Sequence, residues 1–190
     1  MKVKALNLPN AISLIRVFLA PLVLLFLSLK ITTPVAFLEE RGITVAYGDL
    51  LAGGVFIIAA ITDSLDGYIA RKHKLVTTLG KFIDPLADKV LVIAAMVALV
   101  ELQRVPAWIV VVIITREFVV TGLRLVAAAE GVVIAASRGG KLKTVFQIVA
   151  ISMLIFQIKY GMLFMWIAMF LTVWSGMEYL IGGAKMLMED

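Results

Sequence analysis

The sequence contains no cysteine and a single histidine, His73, among its 190 residues. Without cysteine the chain can form neither disulfides nor thiolate metal sites, so any bound metal is expected to be a hard ion held by oxygen ligands. His73 lies alone in a basic stretch, where a solvated or lipid-facing side chain explains it, and we assign it no functional role. Carboxylates are therefore the first residues to consider as metal ligands.

Charged residues are also few, at 16%, whereas hydrophobic residues make up 62% and the mean hydropathy is +1.05. This composition excludes an ordinary soluble domain and predicts an integral membrane protein. At roughly 20 residues per span, the chain is long enough for about six spans with short loops. Since no linker or low-complexity tract divides residues 1–190, we expect one all-α membrane domain. The apolar stretches predict transmembrane helices at residues 11–29, 50–70, 83–101, 106–128, 142–158 and 161–182.

The net charge of +5 is distributed unevenly along the chain. Basic residues concentrate between the second and third predicted spans, between the fourth and fifth, and at both ends of the chain. Because positively charged loops remain on the cytoplasmic side, we expect a multi-pass protein of the cell (inner, cytoplasmic) membrane with both termini in the cytoplasm. A basic excess placed in this way orients spans against anionic membrane lipid, so we expect no nucleic-acid partner.

Two pairs of aspartates interrupt the apolar pattern near the expected cytoplasmic ends of the second and third spans. Asp63 and Asp66 are three residues apart, and Asp84 and Asp88 are four apart, so each pair shares a helix face. A carboxylate in hydrocarbon is so costly that it usually faces a cavity, a partner or an ion. Four together predict a divalent-metal site. The alternative, solvated helix ends paired with nearby lysines and arginines, explains one acid more easily than four.

Basic residues within and beside the fourth and fifth spans form a second group. Arg116 and Arg124 are eight residues apart, so on a helix their directions differ by only about 80° and both can reach one cavity. Lys141 and Lys143 follow at the start of the fifth span, and Glu117 can satisfy only one of the two arginines. A bound phosphate would account for the whole basic group, whereas a structural salt bridge would account for Arg116 alone.

The acidic segments together resemble the complete signature of the CDP-alcohol phosphatidyltransferase family. The matching pattern is Asp63-x-x-Asp66-Gly67-x-x-Ala70-Arg71, eight further residues, then Gly80-x-x-x-Asp84-x-x-x-Asp88. The resemblance implies a six-helix membrane enzyme, commonly a homodimer, whose polar cavity faces the cytoplasm and holds two divalent ions, Mg²⁺ or Mn²⁺. Such enzymes transfer a phosphatidyl group from a CDP-lipid to an alcohol and release CMP.

The same resemblance implies roles for individual residues. Asp88 would act as the catalytic base in addition to binding metal. Asn10 would reach the nucleotide, although helix capping explains this residue equally well. The metal ligands implied are Asp63, Asp66, Asp84 and Asp88, and the other CDP-lipid contacts implied are Gly67, Arg71, Thr77 and Gly80.

The basic group is similar to one branch of this family, the phosphatidylglycerophosphate synthases. The resemblance lies in Arg116-Glu117-Phe-Val-Val-Thr-Gly-Leu-Arg124 and in the later Gly-Lys141-Leu-Lys143-Thr. It implies CDP-diacylglycerol as the donor and sn-glycerol 3-phosphate as the acceptor. The acceptor phosphate would lie on Arg116, Arg124 and Lys141, with Lys143 as the weaker candidate.

Two other interpretations of the sequence remain open. The acceptor could be another alcohol, such as inositol phosphate or serine, although a basic group favours a phosphorylated one. The protein could instead be a divalent-cation transporter, because four acids in a helical bundle can also bind a passing ion. A transport path needs polar groups across the whole bilayer, whereas the implicated acids all lie near one side.

Overall fold

The computed structural model describes residues 8–29, 31, 33–34, 45–72, 78–129 and 138–188, and it describes their side chains except at 8–10, 13, 63–72, 78–85, 88, 129, 138 and 182–188. In this part of the chain the regular structure is helical, apart from one antiparallel β-bridge between Pro34 and Ala46. The helices are α1 Leu8–Ser28, α2 Tyr47–Lys72, α3 Thr78–Glu101, α4 Ala107–Ala129, α5 Arg138–Ile155 and α6 Gly161–Met188.

Each predicted span overlaps one of these helices, so the all-α prediction and the positions of the helices are confirmed. The starts of several helices differ from the prediction. Helix α3 begins at Thr78 and not near residue 83, and α5 begins at Arg138 and not near residue 142. In both cases a polar or basic turn continues the helix beyond its apolar part. Hydropathy identifies the apolar segment of a helix and misses such polar extensions.

The earlier start of α3 changes the description of two residues. Pro85 is the eighth residue of α3 and lies beyond its first turn. A proline there cannot donate the usual backbone hydrogen bond to the residue four positions earlier. Gly80 is the third residue of the same helix. The acidic pair of α3 therefore lies well inside the helix.

One helix in the described part of the chain is long and apolar enough to cross a membrane, over Gly161–Ile181 of α6. Two shorter apolar stretches occupy Leu14–Ser28 of α1 and Tyr47–Thr62 of α2. Large apolar side chains are exposed on several helices, including Phe18 at 71% and Leu125 at 68%. Extended apolar surface of this kind is consistent with a membrane protein, whose outer surface contacts lipid.

The first of two compact units contains the described residues up to Arg104 together with 154–158. Helix α1 packs against α2 and α3 in this unit, and α2 also packs against α3. Fully buried alanines such as Ala20 and Ala59 lie in these contacts, and small residues let helix backbones approach closely. A Cβ on Gly53 would lie 2.3 Å from the Phe156 ring, so a larger residue there would require the ring to move.

A partly buried polar network joins three segments of this unit. Arg104 donates two hydrogen bonds of 2.9 Å each to the carboxylate oxygens of Asp49, and it donates a third of 2.8 Å to the Ile155 carbonyl. Gln157, whose φ of 55° is left-handed, donates to Asp49 Oδ2 at 2.8 Å. Arg104 is therefore a structural partner of Asp49, and this bidentate geometry ties the start of α2 to the ends of α3 and α5.

The second unit contains residues 105–153 together with the residues from 159 onward. Helix α4 packs against α6, and Trp108 contacts Trp166 with ring centroids 5.3 Å apart. Phe146 of α5 stacks on Phe164 of α6 at 5.9 Å. Aromatic pairs of this kind fix the register between neighbouring helices. The basic residues singled out from the sequence lie on α4 and α5.

Candidate active site

The four aspartates lie on two helices that pack against each other. Asp63 and Asp66 lie in the last ten residues of α2, and Asp84 and Asp88 are the seventh and eleventh residues of α3. Because the backbone is helical at both pairs, the members of each pair share one side of their helix, as the sequence predicts. Their side chains are outside the described residues, so the joint metal site stays a prediction.

The chemistry of this donor set fits the divalent ions that the resemblance implies. Carboxylate oxygens are the ligands that Mg²⁺ and Mn²⁺ prefer. Among the side chains that the structure describes, no group of three or more histidines, aspartates or glutamates could hold a metal ion. The paired aspartates of α2 and α3 are the ligands that the sequence predicts.

The candidate contacts to the CDP-lipid lie mainly in the same two helices. Gly67 and Arg71 belong to the C-terminal part of α2, and Gly80 belongs to the first turn of α3. Asn10 is the third residue of α1, inside the helix and not at its N-cap position, so the capping explanation loses support. Side-chain positions for these residues, and all of Thr77, lie outside the described part.

The basic group of the second unit is organised around Glu117 of α4. Glu117 Oε1 accepts a hydrogen bond of 3.1 Å from Arg116 Nη1 and forms an ion pair with Lys143 Nζ of α5. The side chains of Arg116 and Lys143 are only 12% and 6% exposed. Glu117 thus serves one of the two arginines, as expected, but its second partner is a lysine from another helix. The sequence did not predict this contact.

Arg116 also lies against α6. Its Nη2 donates a hydrogen bond of 2.8 Å to Ser175 Oγ, and its guanidinium carbon lies 5.7 Å from the centre of the Tyr179 ring. The buried Nε of Arg116 has no hydrogen-bond partner among the described residues. Gly176 lies beneath the side chain, where an added Cβ would be 2.8 Å from Arg116 Cγ. Arg116 therefore has both a salt bridge to Glu117 and close contacts with α6.

The α6 residues that contact Arg116 were missed by the sequence reasoning. Ser175, Gly176 and Tyr179 contact Arg116, and together with the buried Thr172 they recur at the three- and four-residue spacing of one helix face. A stripe of small and polar residues on an otherwise apolar helix is a signal for a close, polar contact with a neighbouring helix. That pattern could have indicated the contact face but not its partner.

Arg124 and Lys141 differ from the two buried cations. Both are exposed, and no described residue forms a hydrogen bond or ion pair with either of them. Lys141 and Lys143 are two residues apart, so on α5 their directions differ by about 160°, which explains why one is exposed and the other buried. The basic group therefore consists of a buried pair, Arg116 and Lys143, and an exposed pair, Arg124 and Lys141.

The described helices thus include paired aspartates on α2 and α3 and a partly buried basic group on α4 and α5. The family model for CDP-alcohol phosphatidyltransferase matches residues 6–174. This range includes both acidic pairs and the whole basic group. The chain belongs to the CDP-alcohol phosphatidyltransferase family.

Several named relatives cover most of the chain. A Bacillus subtilis (strain 168) protein named CDP-diacylglycerol--glycerol-3-phosphate 3-phosphatidyltransferase is 47% identical over 182 residues, which cover 91% of this chain and 93% of the relative. A Rickettsia felis protein of the same name is 37% identical, with the same coverage of both chains. A Mycoplasma pneumoniae protein, also of that name, is 37% identical over 82% of this chain and 70% of its own.

Proposed function

We propose that the protein transfers the phosphatidyl group of CDP-diacylglycerol to sn-glycerol 3-phosphate, giving phosphatidylglycerophosphate and CMP in phospholipid synthesis. The observation that carries this proposal is the 47% identity to the Bacillus subtilis enzyme named for that reaction, over 91% of the chain. The basic group on α4 and α5 supports a phosphorylated acceptor in preference to serine, because charge-assisted hydrogen bonds favour a phosphate.

On the donor side, the acids and Arg71 supply the chemistry. The acceptor hydroxyl attacks the phosphorus next to diacylglycerol, the bond from that phosphorus to the CMP oxygen breaks, and the hydroxyl proton passes to Asp88. The guanidinium of Arg71 can bind a phosphate with two parallel hydrogen bonds. Gly67, Gly80, Thr77 and Asn10 are the further proposed contacts to the CDP-lipid.

Two divalent ions, Mg²⁺ or Mn²⁺, would be held by the carboxylates of Asp63, Asp66, Asp84 and Asp88. When bound, such ions neutralise the crowded oxygens of a pyrophosphate and of the departing CMP. The support for this assignment is the spacing of each pair on its helix and the suitability of carboxylates for these ions.

On the acceptor side, the charge of the basic group supports phosphate binding. Arg116 and Lys143 are cations on two different helices, and their side chains are at most 12% exposed. Arginine and lysine side chains in poorly hydrated sites form strong charge-assisted hydrogen bonds with phosphate oxygens. We therefore assign the acceptor phosphate to Arg116, Arg124 and Lys141, with Lys143 as an additional contact.

For the setting, we propose a multi-pass protein of the cell membrane, with six spans, both termini and the active site on the cytoplasmic side, and a homodimeric assembly. The exposed apolar side chains and the apolar segment Gly161–Ile181 support a membrane location. The basic stretches of the sequence support the orientation. The chain would act as one membrane domain.

The decisive experiment measures CMP release by the purified protein in detergent with CDP-diacylglycerol. We expect release that requires sn-glycerol 3-phosphate and a divalent ion and that stops when a chelator is added. Serine, inositol phosphate and unphosphorylated glycerol serve as matched acceptors at the same concentration. Equal or faster release with any of these would contradict the proposed acceptor, and metal flux into vesicles without CDP-lipid would point to a transporter.

A further inference from the structure

The side chain of Arg116 packs closely against Gly176 and Ser175 of helix α6. A methyl group at Gly176 would lie 2.8 Å from Arg116 Cγ, which is closer than real Cβ contacts, and 3.2 Å from Nε, which is a tight contact. Cγ lies near the root of the side chain, so the arginine cannot avoid such a methyl by moving its tip alone. Gly176 is therefore required for Arg116 to follow its observed path across α6.

Ser175 fixes the end of the same side chain. Its hydroxyl donates to the Leu171 carbonyl at 2.7 Å, which leaves an oxygen lone pair to accept the hydrogen bond from Arg116 Nη2 at 2.8 Å. Glu117 binds Nη1 at 3.1 Å. Because both terminal nitrogens are held, the guanidinium plane has a defined orientation. Each bond uses one N–H of its nitrogen, and each of these nitrogens carries a second one.

We propose that Ser175 and Gly176 are positioning residues for recognition of the acceptor phosphate, acting through Arg116. The proposal rests on the proposed function, in which Arg116 contacts that phosphate. Arginine loses considerable rotamer freedom when it is fixed by a ligand. A guanidinium already held by α6 has lost this freedom before the acceptor binds, so more of the interaction remains as affinity.

A purely structural contact between α4 and α6 predicts a different result. If Ser175 and Gly176 only joined the helices, their replacement would lower the stability of the protein and would affect both substrates alike. If they position Arg116 for the acceptor, the KM for sn-glycerol 3-phosphate changes and the KM for CDP-diacylglycerol does not. The split between the two KM values is therefore the informative measurement.

The experiment compares Gly176→Ala and Ser175→Ala with the parent, using CMP release at varied concentrations of each substrate. We expect each variant to raise the KM for sn-glycerol 3-phosphate by about 10-fold, comparable to the loss of one charge-assisted hydrogen bond. The matched control is Gly54→Ala in α2, because no atom lies within 4 Å of the added Cβ. This control should keep both KM values. An unchanged acceptor KM in both α6 variants would overturn the proposal.

A second measurement shows whether the effect passes through Arg116. Gly176→Ala is combined with Arg116→Ala, which removes the side chain that the new methyl would displace. We expect Gly176→Ala to cause no further rise of the acceptor KM in this background, since coupled residues are not additive. An undiminished 10-fold effect would overturn the proposal. If the parent itself failed to use sn-glycerol 3-phosphate, the proposed function would fail instead, which a separate acceptor panel would reveal.

Discussion

Lys143 of α5 and Glu117 of α4 form a partly buried ion pair, with side chains 6% and 18% exposed. Glu117 also accepts a hydrogen bond from Arg116 at 3.1 Å, so one carboxylate serves two cations. One carboxylate thereby stabilises two cations in a poorly hydrated region. The ion pair with Lys143 also joins α4 to α5 at the basic group.

The first prediction concerns this shared carboxylate. Glu117→Gln keeps the size of the side chain but removes its charge, so Arg116 and Lys143 lose the carboxylate that they share. Breaking a buried pair from one side is strongly destabilising, and we expect a loss of about 3 kcal/mol. Thermal unfolding in detergent measures it. Adding Lys143→Met to the variant should recover part of the loss, and a double variant no more stable than Glu117→Gln would contradict this account.

The second prediction concerns the pair formed by Arg104 and Asp49. Arg104→Ala leaves the buried Asp49 with the amide of Gln157 but without its bidentate partner. We expect the free energy of unfolding to fall by about 3–5 kcal/mol, because an unpaired charge stays in a buried site. Arg104→Lys should restore only part of the lost stability, since an ammonium cannot form the two parallel hydrogen bonds of a planar guanidinium.

The stability of Arg104→Ala is measured by thermal unfolding in detergent. Its activity is measured by CMP release at a temperature where the variant is folded. Because this network is distinct from the acids and the basic group assigned to catalysis, the KM values should stay near those of the parent. An unfolding temperature equal to the parent's would show that Asp49 is stabilised without Arg104.

The third prediction concerns the acids. Replacing Asp63, Asp66 or Asp84 by asparagine removes a charged metal ligand, and turnover should nearly cease while the protein remains folded. Asp88→Asn additionally removes the proposed base, whose proton transfer contributes roughly 10²- to 10⁴-fold to the rate. Dependence of the rate on Mg²⁺ concentration separates the two roles. Near-parent activity of Asp84→Asn at ordinary Mg²⁺ would argue against a shared metal site.

The positions of the helices could be predicted from the sequence because apolar runs of about 20 residues are typical of membrane-spanning helices. The sequence-based prediction placed the start of α3 about five residues late. The first turn, Thr78 to Lys81, has little apolar character, so a hydropathy pattern does not show that it is helical. The paired aspartates stood out because carboxylates are rare in apolar segments. Their spacing within one helix is a local property that the sequence contains directly.

The contacts of the basic group were harder to predict for a physical reason. Glu117 and Lys143 are 26 residues apart, and Arg116 and Ser175 are 59 apart, on different helices. Which faces meet depends on the rotation and offset of each helix, and these are set by packing along its whole length. The basic residues were therefore identified from the sequence, whereas their division into a buried and an exposed pair was not.

The last prediction concerns the choice of acceptor, and it uses the exposed cation Arg124. If Arg124 contacts the phosphate of sn-glycerol 3-phosphate, Arg124→Ala removes one charge-assisted partner, at a cost of roughly 1.5 to 3 kcal/mol. The KM for this acceptor should then rise about 10- to 150-fold, while the KM for CDP-diacylglycerol stays close to the parent's. Arg124→Lys should recover only part of the loss, because it keeps the charge but loses the fork.

Arg124 is well suited to this test because no described residue depends on it for a hydrogen bond or ion pair, so its removal should leave the fold intact. Unphosphorylated glycerol provides the complementary control. It lacks the group that Arg124 would bind, so it should be a poor acceptor for the parent and should be equally poor for Arg124→Ala. A rise in KM that is the same for both acceptors would mean that Arg124 affects the reaction by some route other than the phosphate. In that case the basic group would have to be reassigned, although the metal chemistry proposed for the aspartates of α2 and α3 would stand on its own observations.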